Sequence, residues 1–277
     1  MLLPTALSIA GLDPSGGAGL AADLRSFGAA GVWGAAVCAA LTVQSTRGVR
    51  AVRAVPSALV LEQAREVLAD ARVRAVKTGA LGSAANVRAV IALLGEHPGL
   101  PWVVDPVMIP SRRRAVPVAA GAGLHGRAVG PLRALAAVAT LVTPNLAEAA
   151  ALLGSPVPDD EAPAAAAALV AAGAQAALVK GGHGQGPEAI DWLALRGGRL
   201  VRLARPRRAI PAVHGAGCTL ASLIAGRLAA RDRRGAVRAE DLVEAARWAR
   251  ARLDRALAAP LTVGAGLRVM DVRWRRS

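Results

Sequence analysis

With 277 residues, 54% of them hydrophobic, the chain holds enough apolar material for one large α/β domain spanning 1–277, while an aromatic content of only 2% leaves no stacking platform for single-stranded nucleic acid. The formal charge of +15 comes from arginines spread along the whole chain, with only short runs such as Arg112-Arg113-Arg114, so it describes a solvated basic surface and no nucleic-acid partner is expected. Two cysteines exclude a disulfide framework or a zinc cluster, no apolar run is long enough for a membrane span, and the Met-Leu-Leu-Pro start lacks a signal peptide's basic region, so a cytoplasmic enzyme is expected.

A strand predicted at 6–10 runs into Gly11-Leu12-Asp13-Pro14-Ser15-Gly16-Gly17-Ala18-Gly19, and a helix follows at 19–29. Glycines at a strand-to-helix turn let backbone approach a ligand, and a helix N-terminus favours anionic or polar groups. The Gly-Lys-Ser/Thr of a P-loop is absent. Within the helix, Leu20, Leu24 and Phe27 mark an apolar face that Asp23 shares. An inward carboxylate needs a partner, either a ligand hydroxyl or a buried Arg or backbone N–H pair.

Strands at 35–42 and 73–77 follow, the first leading to Gln44 and the second ending in Lys77-Thr78-Gly79, with helices at 59–71 and 84–94. Lys77 and Lys180 are the only lysines, and a chain that otherwise uses Arg retains Lys where a compact ammonium is wanted. A strand at 102–105 closes on Asp105, and 110–130, rich in Arg, Gly, Ala and Pro, reads as a long loop, either a lid or disordered. A strand at 140–143 then leads to Thr143-Pro144-Asn145 and a helix at 146–153. Asn145 and Glu148 fit both a helix cap and a water-mediated Mg²⁺ site. A helix at 162–172 precedes a strand at 176–180, which ends in Lys180-Gly181-Gly182-His183, where His183 touches a nucleotide or caps the turn. A hairpin of 190–195 and 200–203 turns at Gly197-Gly198.

His214-Gly215-Ala216-Gly217-Cys218-Thr219-Leu220 then opens a helix at 219–230, and another helix covers 239–257. Small residues at that helix start let successive N–H groups face one concavity, an anion nest suited to the charge of a transferring phosphoryl group. Cys218 lies at its positive end, where a thiol pKa is expected to fall, which would make it a base or polar partner; the alternative is an inert buried thiol. The strand–helix alternation gives an α/β fold with a mainly parallel sheet covered on both faces. In such a sheet the polar groups at the strand ends gather where ligands bind.

The strings AGLDPSGGAGLAADLRSF (10–27), LTVQSTRGV (41–49), VKTGALG (76–82), VVDPVM (103–108), TPNLAEAAALLG (143–154), VKGGHG (179–184) and HGAGCTLAS (214–222) together resemble the ribokinase-like superfamily, in its hydroxymethylpyrimidine/phosphomethylpyrimidine kinase branch. The resemblance implies a three-layer α/β/α sandwich, a homodimer, and two successive phosphoryl transfers from MgATP in thiamine biosynthesis. The first goes to 4-amino-5-hydroxymethyl-2-methylpyrimidine and the second to its monophosphate. It places Gly11, Asp23, Gln44, Ala80 and Val107 around the pyrimidine, with Asp23 on the hydroxymethyl group. It makes Gly215, Ala216, Gly217 and Cys218 the anion hole, with Cys218 catalytic, and sets Lys180 near the ATP phosphates. Asp105, Asn145 and Glu148 fall in the Mg²⁺–phosphate region. The chain departs from the family pattern at Ala80, where Met is usual, and at Val213 and Ala216, where Thr is usual. It also departs in Arg112-Arg113-Arg114, which are expected to take over phosphate contacts from a missing flap lysine. The competing implications are a pyridoxine/pyridoxal kinase, favoured by a pocket widened at Ala80, and a catalytically weak pyrimidine-binding protein.

Overall fold

A computed structural model describes residues 2–108, 128–181, 186–207, 211–231 and 235–272. The chain runs β1 (Thr5–Leu12), α1 (Gly19–Ala29), β2 (Trp33–Ser45), β3 (Gly48–Ala54), α2 (Ser57–Asp70), β4 (Val73–Thr78), α3 (Ala84–Glu96), β5 (Trp102–Val104), α4 (Val129–Ala137), β6 (Leu141–Val142), α5 (Leu146–Leu153) and α6 (Ala162–Ala171). It continues through β7 (Ala176–Gly181), β8 (Glu188–Leu195), β9 (Leu200–Pro206), β10 (Val213–His214), α7 (Ala216–Ala229), α8 (Ala239–Ala258) and β11 (Arg268–Val269).

Nine strands form one sheet in the order β3-β2-β1-β4-β5-β6-β7-β8-β9. The six strands from β2 to β7 are parallel, and β3, β8 and β9 add antiparallel edges. The central strands are apolar on both faces, as burial under two helix layers requires. Their alternation sorts the core. Ala6, Ala75, Val103 and Leu141 face α1, α7 and α8, while Leu7, Ile9, Val76 and Val104 face α2 to α6. The result is the expected three-layer α/β/α sandwich. Strand order reverses between β1 and β4, so the crevice beyond their carboxyl ends is the topological switch point where such sheets bind ligands.

Several features differ from the sequence reading, the pairing of β10 with β11 among them. The segment expected to be loop up to Gly130 already contains the start of α4, where Gly130 and Pro131 occupy the first turn, a position that tolerates proline. β3 was not anticipated because Arg50 and Arg53 dilute its apolar pattern, a composition typical of a protected sheet edge. Leu24 is 37% exposed and stands outside the buried face of α1, which is built from Leu20, Ala22, Asp23, Ser26 and Phe27. At the hairpin, Gly197 and Gly198 both take left-handed φ (94° and 86°), the conformation that primed hairpin turns demand.

After α8 the chain returns over the β2–β3 turn. Leu267 N–H donates to the Thr46 carbonyl at 2.8 Å, Gly266 N–H donates to Thr46 Oγ1 at 3.1 Å, and β11 pairs in parallel with β10. This strap locks the entrance to α7 against the end of β2. Among the described residues no helix is long and apolar enough to cross a membrane.

Candidate active site

The N-terminus of α7 meets the crevice at the switch point. Gly215 caps the helix at φ 82°, and no side chain caps it, so its first-turn N–H groups are left for a ligand or solvent. A Cβ on Gly215 would run into the Gly17 carbonyl oxygen, and one on Gly17 would lie 2.5 Å from His214 Cδ2. The two glycine-containing turns, β1–α1 and β10–α7, therefore interlock. A Cβ on Gly217 would stand 3.1 Å from Lys180 Nζ, which places the ammonium directly against the nest.

Lys180, at the end of β7, donates to Asp105 Oδ1 at 3.1 Å and lies 3.7 Å from Glu148 Oε2. Burial opposes its charge, but Asp105 and Glu148 outweigh burial and hold the ammonium above the usual lysine range. Glu148 feels the reverse balance. Burial, with Asp105 adding to it, pushes its carboxyl up against the pull of Lys180. Asn145 and Glu148 form a reciprocal capping box, with Glu148 N–H to Asn145 Oδ1 at 2.9 Å and Asn145 N–H to Glu148 Oε2 at 2.8 Å. Capping and closeness to Lys180 thus coexist in one carboxylate.

Asp105 Oδ2 is buried without a hydrogen-bond partner among the described residues. A hard cation bound mainly through water takes one or two carboxylates, so Asp105 and Glu148 fit Mg²⁺. Among the described residues no group of three or more His, Cys, Asp or Glu side chains is placed to hold a metal, so a site for an ion enclosed by protein ligands is absent there.

Cys218 corrects an expectation. It does sit in the first turn of α7, yet burial pushes its thiol up to about 12, with the Lys77 cation only partly opposing this. Burial and the acidic neighbours Asp105 and Asp23 act on this thiol in the direction opposite to a helix N-terminus.

Asp23 is already partnered within the protein. Its carboxylate was expected to hold the substrate's hydroxymethyl group. It is instead 0% exposed and receives Lys77 Nζ at 2.9 and 3.0 Å, Ser8 Oγ at 2.6 Å and Ser222 Oγ at 2.6 Å. Four elements, β1, α1, β4 and α7, meet in this knot one helical turn below Cys218. Lys77 occupies a position on β4 that alternates with Ala75 toward the same helices, a place the pattern reserves for an apolar residue.

Gly11 borders Ala80: a Cβ there would lie 3.4 Å from the Ala80 carbonyl oxygen and 3.6 Å from Ala80 Cβ. Val107 is half-buried in the turn after β5, its N–H donating to the Asp105 carbonyl at 2.8 Å. The Gln44 amide lies 2.8 Å from His214 Nε2, which in turn lies 2.8 Å from Asp13 Oδ2. His183 and the arginines at 112–114 lie outside the described residues. Sequence reasoning did not single out the side chains of His214 and Asp13. The available signal was Asp13-x-Ser15, which forms an Asx turn with Ser15 N–H on Asp13 Oδ1 at 2.9 Å.

Residues 13–271 match the family described as phosphomethylpyrimidine kinase. The hydroxymethylpyrimidine/phosphomethylpyrimidine kinase of Rhizobium meliloti (strain 1021) is 42% identical over 266 residues, which cover 94% of this chain and 94% of that protein. Among solved structures, phosphomethylpyrimidine kinase from Clostridium difficile 630 aligns with a TM-score of 0.72 and 30% identity, covering 91% of this chain and 98% of that one. Pyridoxal kinase from Bacillus subtilis, solved as an ADP complex, aligns with a TM-score of 0.82 and 26% identity over 96% of each chain.

Proposed function

The chain belongs to the phosphomethylpyrimidine kinase family, and from that membership we propose that it phosphorylates 4-amino-5-hydroxymethyl-2-methylpyrimidine and then its monophosphate, using MgATP. It is an ATP-dependent kinase. The observation that carries the reading is the convergence of Lys180 on Asp105 (3.1 Å) and Glu148 (3.7 Å), directly beside the first turn of α7.

In this reading Lys180 and the N–H groups of Ala216, Gly217 and Cys218 take the charge that spreads over the transferred phosphoryl group, without reorganising as the reaction proceeds. Asp105 and Glu148 would hold Mg²⁺, with Asn145 fixing Glu148; the ion supplies neutralisation of the phosphate oxygens when bound. Gly11, Ala80, Gln44 and Val107 line the pyrimidine, and His183 contacts the nucleotide. The substrate hydroxyl forms a bond to the γ-phosphorus as the bond to the ADP oxygen breaks, and its proton leaves to a phosphoryl oxygen and then to solvent; in the second transfer a monophosphate oxygen attacks in its place. In a loose transition state the nucleophile has formed little of its bond, so a neutral Cys218 thiol orients the hydroxyl rather than abstracting its proton. We place the chain in the cytoplasm as one kinase domain, working as a homodimer. The exposed Leu12, Leu41 and Val43 around the end of β2 support pairing of two copies.

A second reading, pyridoxal phosphorylation, is favoured by the higher TM-score to pyridoxal kinase and by the small Ala80 beside Gly11. The test is coupled ADP release with MgATP on hydroxymethylpyrimidine, its monophosphate and pyridoxal in parallel. Turnover on both pyrimidines is expected, and turnover on pyridoxal alone refutes the first reading.

A further inference from the structure

Asp13, His214 and Gln44 form a chain whose donor and acceptor roles follow from chemistry. His214 Nε2 lies 2.8 Å from Asp13 Oδ2 and 2.8 Å from Gln44 Nε2. Every other bond to the Asp13 carboxylate is one it accepts: Ser15 N–H and Ser15 Oγ–H on Oδ1, and Ala18 N–H on Oδ2. Burial works against the charge, but the bonds from His214 and Ser15 outweigh it and hold Asp13 below the usual carboxylate range. An ionised carboxylate is acceptor-only, so His214 Nε2 carries a proton, in the neutral Nε2–H tautomer or in the imidazolium. A protonated ring nitrogen has no lone pair for an amide N–H. Gln44 Nε2 stands beside that nitrogen, so the hydrogen-bond chemistry requires the amide turned over about its Cγ–Cδ bond, with Oε1 toward His214 and the NH₂ group on the other side. Among the described residues that other side has no hydrogen-bond partner, and Gln44 is only half-buried at the end of β2.

We propose that His214, braced by Asp13, is a positioning residue that turns the Gln44 amide so that its NH₂ group faces the substrate. The pocket then reads a ring-nitrogen acceptor at this edge, and the exocyclic amine is read elsewhere. This rests on the kinase reading above, and it narrows the substrate class to a heteroaromatic alcohol that presents an unprotonated ring nitrogen to Gln44. The geometry explains why a histidine precedes the capping glycine of α7. Its backbone lies in β10 against β11, and its side chain reaches a residue 170 positions earlier in the sequence.

The first experiment is long-range ¹H–¹⁵N NMR on the full-length protein at neutral pH, with His214 identified among the four histidines by the signal lost in His214→Phe. A protonated Nε2 is expected, and an Nδ1–H tautomer overturns the proposal whether or not the protein phosphorylates pyrimidines. The second compares Gln44→Glu with Gln44→Met on hydroxymethylpyrimidine. Glutamate still accepts from His214 but offers the substrate only acceptors. Its KM should rise about 10- to 100-fold, at least as far as the Met variant's, because a buried acceptor faces an acceptor. A Glu variant within twofold of wild type overturns the proposal. Thermal melts of both variants separate misfolding from lost recognition, and His214→Phe supplies an independent arm. It should raise KM for the pyrimidine while leaving kcat within a few-fold, and an unchanged KM also overturns the proposal. If the wild type turns over no pyrimidine, the kinase reading fails while the NMR result still decides the position of the proton.

Discussion

Replacing Lys77 with Met leaves the Asp23 carboxylate buried, with the two serine hydroxyls as its hydrogen-bond donors among the described residues. Both partners of the ion pair are 0% exposed, so solvent screening does not soften the loss. Removing one member of a buried pair costs about 3–5 kcal/mol. At roughly 2–4 °C per kcal/mol for a domain near this size, the melting temperature should drop by about 6–20 °C. Removing both charges, in Lys77→Met/Asp23→Leu, should recover much of that, because a buried pair replaced by apolar residues is often neutral. Recovery should be incomplete. Ser8 and Ser222 each donate to Asp23 at 2.6 Å, and each then loses its acceptor at about 1–3 kcal/mol. Adding Ser8→Ala and Ser222→Ala removes those orphaned hydroxyls, so stability should climb from single to double to quadruple variant. Calorimetric melts check the order. A single variant within about 1 kcal/mol of wild type, or a double variant no better than the single, refutes the reasoning. Because Asp23 is consumed by this knot, the quadruple variant should also keep the wild-type KM for the pyrimidine. A large rise in KM would return Asp23 to the substrate.

Lys180→Met should lower kcat by about 10²–10³-fold with little change in the pyrimidine KM, as loss of a donor to developing charge does; steady-state kinetics in both substrates decide this, and a pure KM effect contradicts the assignment. In a Cys38→Ala background, alkylation of Cys218 by iodoacetamide should stay slow through pH 8 and accelerate only above about 9, because burial raises the thiol toward 12; an inflection below pH 7 contradicts that. The linked stability has a definite sign. A folded-state pKa above the unfolded one leaves the thiol's contribution intact below about 9 and loses it as pH rises beyond, which is measurable as a falling melting temperature between pH 9 and 11 relative to Cys218→Ala. Changing Arg112, Arg113 and Arg114 together to Ala should raise KM for ATP or for the monophosphate, and unchanged kinetics would dismiss their phosphate role.

Local pattern made much of this molecule legible. The 2-residue alternation in Leu7 and Ile9 against Ala6 fixes which face of β1 meets which helix layer, and polar residues at successive strand ends mark one edge of the sheet. Asp23 was recognisable as an inward carboxylate from its helical spacing. Its cation was not, because Lys77 stands 54 residues away on β4, and periodicity gives direction without naming the neighbour. The Gln44–His214 contact spans 170 residues and escapes for the same reason. Cys218 shows a different limit. The helix-end rule gives the sign for an exposed thiol, and the desolvating surroundings that push Cys218 the other way come from elements the local sequence does not name. α4 and β3 were lost to Gly130, Pro131, Arg50 and Arg53, residues that weaken propensity locally and are tolerated because the rest of each element is anchored by the sheet and its layers.

The two halves of the crevice are mechanically one object. Gly215 closes on the Gly17 carbonyl, Gly17 closes on the His214 ring, and Asp13, four residues before Gly17, holds that ring through Nε2. A side chain at either glycine would separate the turn that borders the pyrimidine wall from the turn that opens α7. His214 is the residue common to both, since its ring fixes Gln44 and its carboxyl neighbour caps the nest. A backbone shift at His214 would therefore disturb both the Gln44 amide and the aim of the α7 N–H groups, whereas loss of the ring alone, as in His214→Phe, releases the amide and leaves the nest in place. β11 opposes that displacement, because Val213 and His214 are held in parallel pairing by Arg268 and Val269. The strap that returns from α8 thus preserves the alignment of the two sites from outside them both.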